Sequence, residues 1–455
     1  MPMNRTASRM RLLTVAVTTL GLVLAACAPQ ASPATSPATG GSAPPPTTAA
    51  RQPIELIHWS WLTASDGEVW AQSIAEFNAA YKDKGIQIKM DVIGFDEFNT
   101  KVLAGVASGK APDFGWGGGG LRAQWIKDGV LVPLDDLAAK VGLDLTDFTE
   151  SSMKRARYPK FDDKLYMVPM DAMSEAMEIN VDHAKEAGLD INNPPKTGDE
   201  LIAWAKAMTK LEGDTVVRSG IMMTGSGVQP TVTWGMVSAQ MGFQRASDDL
   251  KTACINKDAG KAAMQWVLDL FDKHKVSTRD VTDRYKAFGT GEGSMFWTGP
   301  WTIQGYLDEK LNFVTVPFPT IGSEPHTYYE LGGLELYTQA DPSRYEATME
   351  AVKWLSDNSF LWTTKGRGAA TRTSILERTD YKTAGHPWEV RGAFIESMAF
   401  ADLAPIPVLA ADDFEIYSGG NVLATAVAAV IAGEKTIDQF MDEVCVKWQA
   451  GLDAG

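Results

Sequence analysis

Cysteine is scarce in this chain, three in 455 residues, and histidine is hardly commoner at five. A small scaffold held by disulfides is excluded, and no Cys-x-x-Cys or Cys/His cluster offers a metal site. Lysine and arginine form no run, and 42 of them stand against 57 acids for a net charge of −15. That balance argues against nucleic acid and anionic membrane surfaces as partners. Hydrolase signatures are missing too: there is no Gly-x-Ser-x-Gly and no His-Glu-x-x-His, and His58, His183, His274, His326 and His386 are scattered. Beyond the N-terminal segment no run of about 18 apolar residues, the length of a spanning helix, occurs. What is present is a globular composition, 45% hydrophobic and 22% charged, in a chain long enough for two or three lobes of about 150 residues.

The N-terminal segment reads as a targeting signal. Arg5, Arg9 and Arg11 precede the apolar stretch Leu12 to Leu24, which is too short to span a bilayer. The run Leu24-Ala25-Ala26-Cys27 resembles a bacterial lipobox, so residues 1–26 are expected to be removed and Cys27 to carry diacylglycerol. An ordinary signal peptide cut near Ala26 is the alternative. Removal takes away three arginines and no acid, which lowers the net charge from −15 to −18. Residues 27–53 follow, rich in Ala, Ser, Thr, Gly and Pro with no large apolar side chain, and read as a disordered tether or a glycosylated stalk. Cys254 and Cys445 then remain, and the oxidising compartment leaves both a bridge and two buried thiols open.

From Ile54 onward strands and helices alternate. Ile54 to Trp59 and Ile86 to Ile93 read as strands; Val69 to Tyr81 and Phe95 to Ser108 read as amphipathic helices, with further helices near Gly198 to Leu211, Ala259 to Lys273, Ser343 to Asn358 and Thr436 to Gln449. This order predicts an α/β fold with a parallel sheet and ligand sites at the carboxyl ends of strands. Gly115-Trp116-Gly117-Gly118-Gly119-Gly120 formally matches a dinucleotide fingerprint. It follows the third strand rather than the first, and the first acids downstream are Asp128 and Asp135, so a close approach of backbone to ligand, with Trp116 at the rim, is the reading kept.

Several segments carry a family resemblance in their order. Trp125 to Leu137 pairs a helix and Gly129 with Val132-Pro133-Leu134; Lys164-Leu165-Tyr166-Met167-Val168-Pro169 is followed by Ile179-Asn180; Pro194-Pro195-Lys196-Thr197 opens a helix, with Gly198 where a Trp is usual; Phe288 to Met295 precedes Gly299-Pro300-Trp301. Together they resemble the family 1 extracellular solute-binding proteins of ABC importers, the last segment being similar to maltose-binding proteins. The resemblance implies a periplasmic-binding-protein-like fold of type II, two α/β lobes with a hinge and a ligand cleft between them. One lobe would hold residues 54–168 with 335–366, the other 169–334 with 367–455. It implies a monomer, lipid-anchored outside the bacterial cell membrane, that captures a sugar or oligosaccharide by hinge closure and delivers it to a permease driven by a separate ATPase, with no cofactor and no catalysis.

Sugars have apolar C–H faces and polar rims, which suits aromatic rings beside carboxylates and amides. By resemblance Trp301 stacks on a sugar ring, and Trp234, Arg372, Asp412, Phe414 and Tyr417 fall where the family supplies contacts, although Arg372 lacks the usual preceding proline. Trp61 and Asp66 follow the first strand, Trp116 and Gly117 lie in the glycine-rich segment, and Asp171 lies on the first crossing. Trp297 serves equally as a buried strand residue or a contact. Two alternatives stand beside a sugar ligand. A glycerol phosphodiester would need a basic cleft, for which Arg155, Arg157 and Arg218 are the candidates; an extracellular carbohydrate-active enzyme would need paired carboxylates that nothing marks.

Overall fold

The structure is a computed structural model that describes residues 53–117, 122–158, 161–403 and 422–454. The signal segment, Cys27, the tether, Gly118 to Gly120, and Asp412, Phe414 and Tyr417 lie outside the described residues. Sixteen strands are described: β1 (Ile54–Ser60), β2 (Ile86–Val92), β3 (Phe114–Gly117), β4 (Arg157–Tyr158), β5 (Lys164–Leu165), β6 (Val168–Ser174), β7 (Ala176–Asn180), β8 (Lys210–Glu212), β9 (Thr215–Ile221), β10 (Gln244–Ala246), β11 (Ala253–Ile255), β12 (Gly293–Thr298), β13 (Phe313–Pro317), β14 (Thr327–Leu336), β15 (Ala369–Ala370) and β16 (Ala401–Leu403).

Two sheets organise them. The larger runs β15-β6-β14-β3-β1-β2 with β16 paired to β14, and the smaller runs β13-β7-β12-β9-β8. β1 is parallel to both β2 and β3, as the alternation of strand and helix predicts. The larger sheet is nonetheless mixed, because β14 returns from the smaller sheet and inserts antiparallel between β3 and β6. Only Glu175 separates β6 in one sheet from β7 in the other, and the stretch between β13 and β14 makes a second crossing. Pairing shifts the expected lobe limits: residues 169–174 and 327–334 belong to the larger sheet, as do β15 and β16. A strand entering a hinge keeps its backbone paired as far as a partner runs alongside, and β14 runs alongside β6 as far as Ser174.

Each sheet carries its own core. Around the larger one Trp70, Phe77, Phe114, Trp116 and Trp362 are wholly buried. His58 is buried there as well, taking a 2.9 Å hydrogen bond from Trp70 Nε1 at Nε2 and stacking on Phe114. Burial drives its pKa down to about 3, so it is a neutral core residue. The turn Pro112-Asp113-Phe114 is held because Asp113 accepts both Ile57 N and the Arg344 guanidinium. The smaller sheet packs with the helices Val228–Gln240, Lys257–Asp272, Val422–Ile431 and Ile437–Ala454 around Trp234 and Trp448. Cys254 and Cys445 are joined there as a disulfide, 191 residues apart in the chain. The helix Gly198–Met208 starts at a capping box in which Thr197 and Glu200 satisfy each other's backbone N–H. Among the described residues no helix is long and apolar enough to cross a membrane.

Candidate functional site

The two sheets meet at a polar cluster lined by aromatic rings. Trp61 follows β1 and donates from Nε1 to the carbonyl of Trp116, 3.1 Å away. Trp301 follows β12 in a single 3₁₀ turn and donates from Nε1 to the Tyr285 hydroxyl at 3.1 Å. Its ring lies directly over Gly299, where a Cβ would come within 2.0 Å of it, so that glycine is what lets the indole fold back. With both indole N–H groups used within the protein, ring faces are what the two tryptophans have left to offer.

Arg367 stands between them. Its guanidinium carbon is 5.0 Å from the centre of the Trp61 ring and 5.9 Å from that of Trp301, within cation–π range of both. Nη2 donates to Glu330 at 3.3 Å, and the residue is only 5% exposed. Gly368 follows in the left-handed region (φ +79°), and a Cβ there would approach that of Asp171 to 2.7 Å. Asp66 lies in the first turn of the helix Ala64–Ala80; partial burial raises its pKa, while Arg367 pulls it back. Asp171 is wholly buried on β6, with Oδ2 accepting Trp362 Nε1 at 2.7 Å and Oδ1 without a partner among the described residues. Its pKa is raised to about 7 by burial, against the opposing charge of Arg367.

Beside this cluster a recess is lined by Glu175, Val228, Gln229, Val232, Arg284, Trp297 and Thr298. Its volume is about 10 Å³, room for one water. The Thr298 hydroxyl has no partner among the described residues, and Arg284 donates to the Tyr285 hydroxyl at 2.7 Å. Beneath Trp301, Glu178 accepts from Thr302 at 2.6 Å, and burial pushes its pKa to about 8.

Of the residues expected from sequence, the structure brings Trp61, Asp66, Asp171 and Trp301 together around Arg367 and puts others in the cores. Trp116 is not at a rim: it is fully buried, edge-on to Trp70 and Trp362 at 4.8 and 4.9 Å. The glycines beside it make room for β14, since a Cβ on Gly117 would lie 2.3 Å from the Glu335 carboxyl carbon and one on Gly115 2.5 Å from the Tyr337 hydroxyl. Trp234 is buried against Phe440 and Phe243 and donates to the Gly260 carbonyl. Trp297 gives its N–H to Thr233 and packs on Phe318, forming only the back wall of the recess. Arg372 is a structural tie, bound to Asp147, Asp357 and Ser356 and lying over Phe148. Of the arginines named for a phosphodiester, Arg157 pairs with Asp135, Arg218 pairs with Glu186, and Arg155 lies over Tyr329. Sequence reasoning missed Arg367, Glu330 and Arg284; the signal for the first was an arginine flanked by Gly366 and Gly368, glycines that allow a sharp turn and close approach.

Comparison with known proteins bears on this arrangement. Residues 61–357, well over half the chain, match the model of the family described as bacterial extracellular solute-binding protein. The first curated relatives, from Brucella abortus and Brucella suis, are 23% identical over 235 residues, 51% of this chain and 54% of theirs, so the chain spans about half the length of these relatives. A maltotriose-binding protein of Pyrococcus abyssi is 21% identical over 313 residues, 67% of this chain and 63% of its own. Among solved structures, an ABC substrate-binding protein of Listeria monocytogenes in complex with cycloalternan has a TM-score of 0.74 at 19% identity, covering 88% of this chain and 99% of its own. UgpB of Mycobacterium tuberculosis in complex with glycerophosphocholine has a TM-score of 0.75 at 17% identity, covering 88% and 98%. Such likenesses carry the two-lobed fold, and the family match carries membership: the chain belongs to the bacterial extracellular solute-binding proteins.

Proposed function

We propose that this protein is the extracytoplasmic binding component of an ABC importer, which captures a sugar or oligosaccharide between its lobes and delivers it to a membrane permease powered by a separate ATPase. The observation that carries the reading is the pair of indoles, Trp61 from one side and Trp301 from the other, whose rings converge on one guanidinium amid the carboxyl groups of Asp66, Asp171 and Glu330. Flat apolar faces ringed by hydrogen-bonding groups match the two kinds of surface on a pyranose. Capture would proceed by the lobes parting and closing again on the ligand, the hinge motion open to two lobes joined by crossing strands. Anchoring through diacylated Cys27, with residues 28–53 as a spacer, would hold a monomeric binding unit near its permease. The role is capture and release, with no bond made or broken.

A second reading, a glycerol phosphodiester or other anionic solute, draws on Arg284, which pairs with no carboxylate among the described residues, and on Arg367. Glu175 lines the recess with Arg284, and Asp66 and Glu330 stand beside Arg367, so acidic charge near each arginine opposes an anion. A thermal-shift screen of the purified protein against malto-, xylo-, cello- and manno-oligosaccharides, trehalose, simple sugars and glycerophosphodiesters decides between them. A ligand at about 100 times its dissociation constant adds roughly 2.7 kcal/mol. A shift with one saccharide class supports the proposal; a response to a phosphodiester alone favours the second reading, and silence from all removes both. Trp301→Ala is expected to weaken saccharide binding by about tenfold or more, consistent with losing one stacked ring in a desolvated site; unchanged affinity removes Trp301 from the site.

A further inference from the structure

We propose that Phe95 provides a stacking position beyond Trp61, so that the binding surface is built for an oligosaccharide longer than the Trp61–Trp301 pair can hold. This rests on the saccharide reading above. Phe95 is the first residue of the helix Phe95–Ala107 and is 66% exposed, whereas Trp70, Phe77, Phe114 and Trp116 of the same lobe are wholly buried. Its ring lies 5.1 Å from that of Trp61 at an interplanar angle of 80°. The two loops are tied together, since Ile93 N donates to the Ser60 carbonyl at 2.9 Å and so fixes the end of β2 against the end of β1. Both side chains therefore emerge at the carboxyl ends of adjacent parallel strands, where ligands of α/β sheets bind. The backbone between them is open: a Cβ on Gly94 would meet nothing within 4 Å, and Val92 is 55% exposed.

A single exposed aromatic ring is ordinary on a protein surface; what distinguishes Phe95 is its contact with Trp61. Trp61 already faces Arg367 on the inner side, so a chain leaving that subsite passes outward onto Phe95. The C–H face of a further pyranose matches that ring, and the perpendicular setting of Phe95 and Trp61 presents the two surfaces as a corner instead of a flat ribbon.

The test is isothermal titration of the parent protein and of Phe95→Ala and Phe95→Trp with glucose, maltose, maltotriose and maltotetraose, and with the corresponding cello- and manno- series. In the parent, affinity should rise with chain length through at least one added unit. Phe95→Ala should lose about threefold to tenfold on the longer members while leaving the shortest ligand that binds unchanged, and Phe95→Trp should retain the length dependence. Because Phe95 is mostly exposed, its replacement should leave the melting temperature close to that of the parent. An alanine variant that affects no length, or all lengths alike, overturns the inference while saccharide binding itself stands. A parent protein that binds no saccharide in any series removes the saccharide reading and this inference with it.

Discussion

Replacing Asp171 by asparagine should change how stability depends on pH. Burial lifts this carboxyl from 3.8 to about 7 in the folded protein, while the unfolded chain keeps the ordinary value. Between those limits the folded state holds a proton that the unfolded state has released. The stabilisation from the protonated form is therefore complete below the unfolded pKa and is lost as pH rises through the folded one. Over the interval from about pH 6 to pH 8 the loss from Asp171 alone comes to about 1.4 kcal/mol. The amide of Asp171→Asn cannot titrate, yet its oxygen can still accept the 2.7 Å hydrogen bond from Trp362 Nε1. Glu178, raised to about 8, acts in the same direction, and His58, lowered to about 3, acts in the opposite one. Both are present in parent and variant, so they cancel in the comparison. Urea denaturation followed by tryptophan fluorescence at the two pH values, in both proteins, measures the difference. The parent should lose more stability than the variant on going to the higher pH; equal losses, or a larger loss in the variant, would refute the reasoning.

Two further outcomes separate structural residues from site residues. Arg372→Ala should cost about 3 kcal/mol, because it strands Asp147 and Asp357 and opens a hole beside Phe148, whereas saccharide affinity measured by titration should not change. Removing the Cys254–Cys445 bridge by a double alanine substitution should lower stability by about 2–5 kcal/mol, since the bond closes a loop spanning most of the smaller lobe; insensitivity of the melting temperature to both the substitution and a reductant would mean the two thiols are not joined.

Much of the local structure was legible beforehand. The helix Phe95–Ala107 and the strands β1 and β2 begin at or near the residues that apolar periodicity marks, and the helix expected near Gly198 begins at Gly198. The position of Trp301 just beyond a strand was legible because Gly299-Pro300 makes a turn at the end of β12. Trp116 and Trp234 misled, because a tryptophan beside glycines or within a helix looks the same whether its neighbours cover it or not. Trp362 and Trp70 cover Trp116, while Phe440 and Trp448 cover Trp234 from about 200 residues away in sequence. Arg372 misled for the same reason: its partner Asp147 lies 225 positions earlier.

By itself the sequence determined an α/β fold, through its alternating periodicities, and a likeness to solute-binding proteins, through the order of its motifs. Those are properties of neighbours along the chain. Only the tertiary structure decided which rings pack in the cores and which gather around Arg367. β14 returns antiparallel between β3 and β6 and sets Glu335 against Gly117, and the segment leading into β15 brings Arg367 between Trp61 and Trp301. A side chain's exposure depends on what packs over it, and here what packs over it comes from residues hundreds of positions away.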